Sequence, residues 1–573
     1  MTQQSALARR LVPAHGPWPD GVPACLQRVY AARGVLGPQG AELRLARLLP
    51  PDTLGGMDAA ARLLAQAIAA GKHIVVVGDF DCDGATGTAV AVRGLRMLGA
   101  TRVSYQVPHR VTHGYGLSTA LVEAMAPMEP DLLVTVDNGI ACHAGVAAAK
   151  ARGWQVLVTD HHLPGAFLPA ADAIVNPNLE GDAFPSKALA GVGVMFYLLL
   201  VLRRVLRESG ALSGAVPDLA CLLDLVAMGT IADLVPLDFN NRLLVSAGLR
   251  RIRQGHCQAG VRALAEVAGR DLSAIVAADV GFAIAPRLNA AGRLEDMALG
   301  IECLLCDDAT RARELAAALD SINAQRRVRQ QVMVDEADRL VSELPLAGAD
   351  IPAGLALFDA SWHPGVVGLV ASKLKDRLNR PVIAFAPAEP GSTQLRGSAR
   401  SIAGFHLRDA LAAVDVANPG LIERFGGHAM AAGLTISVND LEAFRAAFGA
   451  VATAWLPAEL LQSQLLTDGG LLASEMTREI AQGLRDAGPW GQGFPEPVFD
   501  NEFEVTAWRV LGERHLKMTL VLEQGGSPLS AIHFGGFNGI EPPARIRAAY
   551  QLALDDYRGR REVQLLVRQW SAA

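Results

Sequence analysis

The sequence predicts an α/β protein: a parallel-sheet domain, a long helix, a second α/β domain and a small C-terminal β-barrel. Three observations carry that prediction. Between residues 73 and 160 short β-branched runs alternate with helical segments, the pattern of βαβ units around a parallel sheet. From Asp308 to Leu340 an amphipathic pattern continues for about 30 residues, long enough for a strut between domains. From about residue 466 the composition shifts to turn-rich sequence separating five strand-like runs.

The bulk numbers bound the function classes. A chain of 573 residues has room for several domains at on the order of 150 residues each. The longest uncharged apolar run, Ala188 to Leu202, is closed by Arg203-Arg204. It falls short of the roughly 20 residues needed to cross a bilayer, so a buried helix and no membrane partner are expected. Arg9-Arg10 has no apolar stretch behind it, so no signal peptide is expected. Seven scattered cysteines, an odd number, argue against a disulfide framework and fit a reducing cytoplasm. Cys303-x-x-Cys306 has no second pair, so no zinc site is expected. A net charge of −6 neither announces nor excludes nucleic acid, because basic patches act locally.

Taken in order, Pro23–Arg33 and Ala41–Leu49 read as helices of an N-terminal preface, the second ended by Pro50-Pro51. Met57 to Ala70 is a helix stopped by Gly71, and strand Ile74–Val77 follows. Asp79, Asp81 and Asp83 then occupy alternate positions before Gly84. If the strand continues, all three carboxylates share one face, because strand side chains alternate. Like charges so close repel strongly unless a cation lies between them. Cys82 would point to the opposite side, into the core. A helix over 85–98, a strand near Val103–Val107 and a helix near 118–126 come next. Strand Leu132–Val136 delivers Asp137-Asn138-Gly139; after a helix near 143–151, strand Val156–Val158 delivers Asp160-His161-His162. Parallel strands bring these ends to one sheet edge, where open α/β sheets bind ligands. Asp233, at the apparent end of a helix, is a fourth contributor. One Asp-rich turn is ordinary; three strands ending in Asp, two histidines added, point to a metal site.

These four stretches, Gly78–Gly84, Val136–Gly139, Asp160–His162 and Gly229–Asp233, resemble the motifs of the DHH phosphoesterases. Within that superfamily the best resemblance is to the RecJ family, bacterial 5′→3′ exonucleases specific for single-stranded DNA. It implies a helical N-terminal segment (1–55), a DHH catalytic domain (56–239), a helical connector (240–345), a DHHA1 domain (346–465) and an OB-like domain (466–573). It further implies Asp79, Asp81, Asp83, Asp137, His161 and Asp233 as ligands of two ions, with Asp137 bridging. Asp160 would orient a ligand, and His162 would contact the scissile phosphate or protonate the leaving oxygen. Two ions suit phosphodiester hydrolysis because together they generate the nucleophile and clamp the phosphate. Carboxylates mixed with imidazole favour Mn²⁺, with Mg²⁺ the alternative. The resemblance also implies release of 5′-mononucleotides in DNA repair and recombination, a monomer, and single-strand-binding protein and a RecQ-type helicase as partners. The alternatives are a phosphodiesterase for short oligonucleotides or cyclic dinucleotides, and an inactive DNA-binding scaffold.

The remaining motifs concern the nucleic acid. Pro108–Leu117 resembles a DNA-contacting loop of the family, with Arg110 placed to meet a phosphate and His113 where relatives carry an acid. Gly281–Arg293 matches a family signature; its small residues would admit a DNA strand, Arg287 would bind phosphate bidentately, and Asn289 would join it. In the second α/β domain, strand Val382–Phe385 precedes two Gly-rich stretches, Leu395–Ser401 and Phe425–Gly433, whose glycines beside Ser, Arg and His read as a nest that can hold a phosphate, the bland alternative being ordinary Gly-rich turns. Ser398, Arg400, Gly427 and His428 are implied there. The barrel runs are Val498–Val505, Trp508–Leu511, Leu516–Leu522, Leu529–Phe534 and Val563–Val567. Five strands suit an OB-fold, with Trp508, His515, Lys517, Tyr557 and Arg558 as candidates for its single-strand-binding surface.

Overall fold

The computed structural model describes residues 5–110, 112–212, 214–343, 352–389, 391–555 and 562–573. It divides into two compact units, the larger built mainly from Leu11–Asn323 and Asp468–Arg568, the smaller mainly from Ala324–Thr467.

The larger unit is organised on a five-stranded sheet in the order Val103–Gln106, Ile74–Val77, Leu132–Val136, Gln155–Thr159, Ala173–Val175. Every pairing is parallel. Such a sheet must be covered on both faces, and Ile74–Val77 and Leu132–Val136 are buried at every residue. Alternation sorts the side chains. Ile74, Val76, Val134 and Leu157 pack in the main core with helices Met57–Ala69, Cys82–Met97, Gly191–Glu208 and Leu223–Ala232. Val75, Val77, Leu133, Val156 and Val158 pack on the other face with Leu121, Val146 and Trp154. The run from Ala188 is thus a buried helix, and no helix among the described residues is long and apolar enough to cross a membrane.

The aspartate loop departs from expectation. The strand stops at Val77, and the next helix begins at Cys82, not at residue 85. Asp81 is its N-cap, accepting from Gly84 N at 3.0 Å. The three aspartates are therefore distributed around a strand-to-helix turn, not along one strand face. Gly84 makes the turn feasible, since a Cβ there would lie 2.5 Å from Asp79 N. Cys82 is buried in the core as expected, but from the first turn of a helix.

In the preface, helix Ala24–Ala31 forms, whereas the expected helix 41–49 shrinks to a 3₁₀ turn, Leu45–Arg47. Pro50 and Pro51 disfavour helical backbone just before them, which leaves too short a segment to propagate. Arg33 and Asp468 form a bidentate pair, 2.8 and 3.0 Å, with side chains 1% and 0% exposed. Beyond the connector helices runs a 35-residue helix, Ala309–Glu343.

The C-terminal barrel is closed in the order Phe499–Leu511, His515–Leu522, Leu529–His533, Glu562–Ala572, Arg545–Asp555. Two expected strands prove to be one: Val498–Val505 and Trp508–Leu511 merge across a register shift between Val505 and Ala507. A strand that was not anticipated, Arg545–Asp555, restores the number to five. Its alanines and arginines carry little β propensity, which hides it from pattern reading.

In the smaller unit a mixed sheet runs in the order Arg424–Gly427, Ala431–Ser437, Gln394–Arg400, Val382–Pro387, Leu355–Phe358, with only the last pair parallel. Phe385, Phe405, Phe444 and Phe448 centre its core. The first Gly-rich stretch lies in strand Gln394–Arg400, and the second forms the hairpin of Arg424–Gly427 and Ala431–Ser437 with its turn. Gly397 allows Phe385 to pack against its backbone, where a Cβ would lie 2.5 Å from the ring. The chain also adds strand Ala6–Arg9, parallel to Gln464–Thr467.

Candidate metal centre

The carboxyl edge of the parallel sheet gathers the expected ligands. Asp79 follows the first strand and is 4% exposed; Asp81 and Asp83 begin the helix behind it. Asp137 leaves the Leu132–Val136 strand, His161 and His162 leave Gln155–Thr159, and Asp233 closes helix Leu223–Ala232. His161 Nε2 lies 3.0 Å from Asp137 Oδ1 and 3.5 Å from Asp233 Oδ2. Three sets of ligand atoms, each within 4.8 Å, result: Asp79–Asp81–Asp137, Asp83–His161–Asp233 and Asp137–His161–His162. Asp137 and His161 each belong to two sets, and of the two only the Asp137 carboxylate has the oxygens for neighbouring ions to share.

The electrostatics fit cations. Burial, then the charges of Asp83, Asp81, Asp233 and Asp79, push the Asp137 carboxyl well above its usual range. Burial followed by neighbouring aspartates does the same to Asp79 and Asp233. Asp83 is pushed up to about 7, again by burial first and then Asp81. Asp79 Oδ1 and Asp137 Oδ1 are buried and accept no hydrogen bond among the described residues. Buried carboxylate oxygens left in this state are costly, and divalent ions are the oxygen-seeking partners that relieve them.

Around the ligands the chain builds a rigid frame. Asp160 Oδ1 accepts from His161 N at 2.7 Å, His162 N at 3.1 Å and His162 Nδ1 at 2.8 Å; Oδ2 accepts from Ile140 N at 2.9 Å. Burial opposes ionisation of Asp160, yet the His162 bond and charge outweigh it and hold its carboxyl below the usual value. It is an anchor for His162, and its valences are filled by the protein. Asp83 accepts from Gly191 N at 2.6 Å and Val192 N at 2.9 Å, so one ligand also caps helix Gly191–Glu208. Asp137 has φ +63°, strained for a residue with a side chain. Its amide donates to Thr159 O at 3.2 Å, and Tyr115 Oη donates to its carbonyl at 3.2 Å. Asn138 Nδ2 ties Val77 O and Val136 O at 3.0 and 2.9 Å. Tyr115 and Asn138 stand within the recognised motifs, but no sequence feature marked these duties.

The residues expected to meet nucleic acid are placed differently from one another. Arg110 lies at the cluster, stacked 3.9 Å over Phe80, its Nε donating to Gly292 O at 3.2 Å. His113 Nδ1 accepts from His109 N at 3.0 Å. Arg287 is not an open phosphate clamp: it is buried, bonds Ala283 O and pairs with Asp320 at 2.8 Å. Asn289 accepts from Cys82 N at 2.8 Å. The small residues of that signature admit the metal loop, since a Cβ on Gly292 would lie 1.8 Å from Phe80 O.

In the smaller unit Arg400 donates to Ser398 Oγ at 3.1 Å, and burial lowers its pKa. Gly368, at the start of helix Val367–Leu378, lets that helix reach both: a Cβ would lie 2.9 Å from Ser398 Oγ and 3.0 Å from an Arg400 nitrogen. Gly427, at φ +141°, and His428 form the adjoining turn, His428 N donating to Ala431 O at 2.8 Å. On the barrel, Trp508 stacks near Phe537, ring centroids 6.4 Å apart, and His515 meets exposed Phe534 edge-on at 5.5 Å. Lys517 is opposite Arg509 on the neighbouring strand. Tyr557 and Arg558 lie outside the described residues.

Comparison with known proteins places this geometry in context. Residues 73–230 match the model of the DHH family N-terminal domain, 350–454 that of the DHHA1 domain, and 467–569 that of the RecJ OB domain. The single-stranded-DNA-specific exonuclease RecJ of Dickeya dadantii is 51% identical over 565 residues, 98% of each chain. Its namesake from Escherichia coli is 49% identical over 573 residues, 99% of each. Among solved structures, RecJ of Thermus thermophilus in complex with Mn²⁺ superposes with a TM-score of 0.79 at 32% identity, covering 96% of this chain and 76% of that one.

Proposed function

The chain belongs to the RecJ family of single-stranded-DNA-specific exonucleases, and from that premise we propose that it removes 5′-mononucleotides successively from the 5′ end of single-stranded DNA. The observation carrying this reading is the convergence of five aspartates and His161, with Asp79 Oδ1 and Asp137 Oδ1 buried and accepting no hydrogen bond among the described residues. Asp79, Asp81, Asp83, Asp137, His161 and Asp233 would hold two divalent ions, Mn²⁺ in preference to Mg²⁺. When bound, such a pair supplies an activated water and neutralises charge on the phosphate. The T. thermophilus protein was crystallised with each ion, which supports either metal here.

The protein's own groups do the rest. Asp137, which belongs to two of the ligand sets, would be the ligand within reach of both ions. Asp160 fixes the His162 ring through Nδ1, and burial notwithstanding, its hydrogen bond and charge raise the His162 pKa. That shift favours the protonated imidazole, which would be directed at the phosphate or the leaving oxygen. Arg110 positions the phosphate. Ser398, Arg400, Gly427 and His428 bind backbone phosphate, and Trp508, His515 and Lys517 belong to the single-strand-binding surface of the barrel. By family resemblance the enzyme works in the cytoplasm as a monomer in DNA repair and recombination, with single-strand-binding protein and a RecQ-type helicase.

Asp137→Ala tests the reading. It should abolish cleavage while leaving the fold and DNA binding intact; a fully active variant would exclude this metal site. Digesting strands labelled separately at each end, with each metal in turn, tests polarity: early loss of the 5′ label is expected.

A further inference from the structure

The first turn of helix Cys82–Met97 has backbone N–H groups without partners inside the helix, as every helix does. Asp81 Oδ1 accepts from one of them, Gly84 N, at 3.0 Å. Another is Cys82 N, on a residue buried to 1% exposure. Its partner comes from 207 residues away, Asn289 Oδ1 at 2.8 Å, on helix Ala285–Leu294. The same helix presses on the loop one turn further along. Gly292 comes so close to Phe80 O that a Cβ would lie 1.8 Å from it. Gly292 O accepts from Arg110 Nε, and Arg110 covers the Phe80 ring. The segment from Asp79 to Asp83 is thus braced by a helix outside the stretch matching the DHH domain, residues 73–230.

The brace addresses a physical problem. Asp79, Asp81 and Asp83 repel one another, and that repulsion tends to splay the loop that carries them. A hydrogen bond to the amide between Asp81 and Asp83 fixes both flanking carboxylates at once. We infer that Asn289 is a positioning residue of the metal loop, acting through the Cys82 amide, and that its side chain serves the ligands instead of the nucleic acid. The inference rests on the metal-site reading above.

The test uses the full chain and Asn289→Ala. Hydrogen–deuterium exchange at the Cys82 amide, measured without metal, should accelerate in the variant. Mn²⁺ affinity, read from the electron paramagnetic resonance of free Mn²⁺, should fall about tenfold, the lower range for groups that orient metal ligands. Affinity for a single strand in EDTA should match wild type. Asn289→Asp keeps the acceptor and should keep both the Cys82 protection and the Mn²⁺ affinity; it carries the test alone if the alanine variant does not fold. Wild-type Mn²⁺ affinity in Asn289→Ala, a loss confined to DNA binding, or lost affinity in Asn289→Asp overturns the inference. Asp137→Ala is measured alongside. If it loses Mn²⁺ while Asn289→Ala does not, only the positioning role falls; if it too retains full affinity, the metal-site reading falls and takes this one with it.

Discussion

Asp160 shows how one side chain sets the chemistry of another. Its carboxylate accepts three backbone N–H groups and the Nδ1 of His162, so its geometry is saturated before any ligand arrives. Asp160→Asn removes the largest of the influences that raise the His162 pKa, leaving burial, which lowers it, opposed by the charges of Asp79 and Asp81 alone. The protonated imidazole should then be lost at lower pH. The expected outcome is an alkaline limb of the kcat profile shifted to lower pH, with kcat reduced roughly ten- to hundredfold, checked by single-turnover rates across pH. An unchanged limb would show that His162 donates no proton in the rate-limiting step. At this scale the sequence was informative where chemistry is carried by residue type: the Asp-His-His and Asp-Asn-Gly stretches named their residues. It was silent on partnership. Nothing in Arg287 distinguishes a phosphate clamp from a cation committed to Asp320, because the partner is set by tertiary packing.

The elements meet at small residues. Gly191 begins the long helix that Asp83 caps, and a Cβ there would lie 2.5 Å from Asp137 Cβ and 2.8 Å from Asp137 Cα. The obstacle is backbone already strained at φ +63°, so it cannot yield as a flexible side-chain tip would. Gly191→Ala should destabilise the fold by about 1–3 kcal/mol, the usual cost of overpacking, read from the midpoint of urea unfolding. It should also weaken metal binding, because the helix terminus and Asp137 must part. Strands Ile74–Val77 and Leu132–Val136 and helix His143–Ala151 were legible, since each is a clean apolar run or a bounded helical pattern. The turn between Val77 and Cys82 was not. Alternating Asp suits a strand, yet an N-cap Asp followed by Asp and Gly suits a helix start equally well, and packing against helix Ala285–Leu294 decided between them. The strands within the Gly-rich stretches of the smaller unit were hidden for a related reason: glycine has little β propensity, and Gly397 is set by the Phe385 ring packed against it.

At the scale of the whole molecule, domain order was legible because composition changes with architecture. The pairing of Ala6–Arg9 with Gln464–Thr467 was not, since no local pattern reports a partner so distant in sequence. The global consequence of the site is electrostatic. Burial and mutual repulsion raise the pKa of Asp79, Asp137 and Asp233 well above the usual range and that of Asp83 to about 7. Between the unfolded carboxylate value and these raised values the native state binds more protons than the unfolded chain, so metal-free stability falls as pH rises through that window. A bound divalent ion reverses the sign, because it requires the ionised carboxylates and competes with protons. The increase in Tm on adding saturating Mn²⁺ to EDTA-treated protein should therefore be larger near about pH 8 than near about pH 6, by several degrees. Differential scanning calorimetry at both values measures it. In Asp79→Asn the metal-free protein should lose part of its destabilisation at the higher pH, since one of the repelling charges is gone. A Tm gain independent of pH would mean that the cluster is not the site through which Mn²⁺ stabilises the fold.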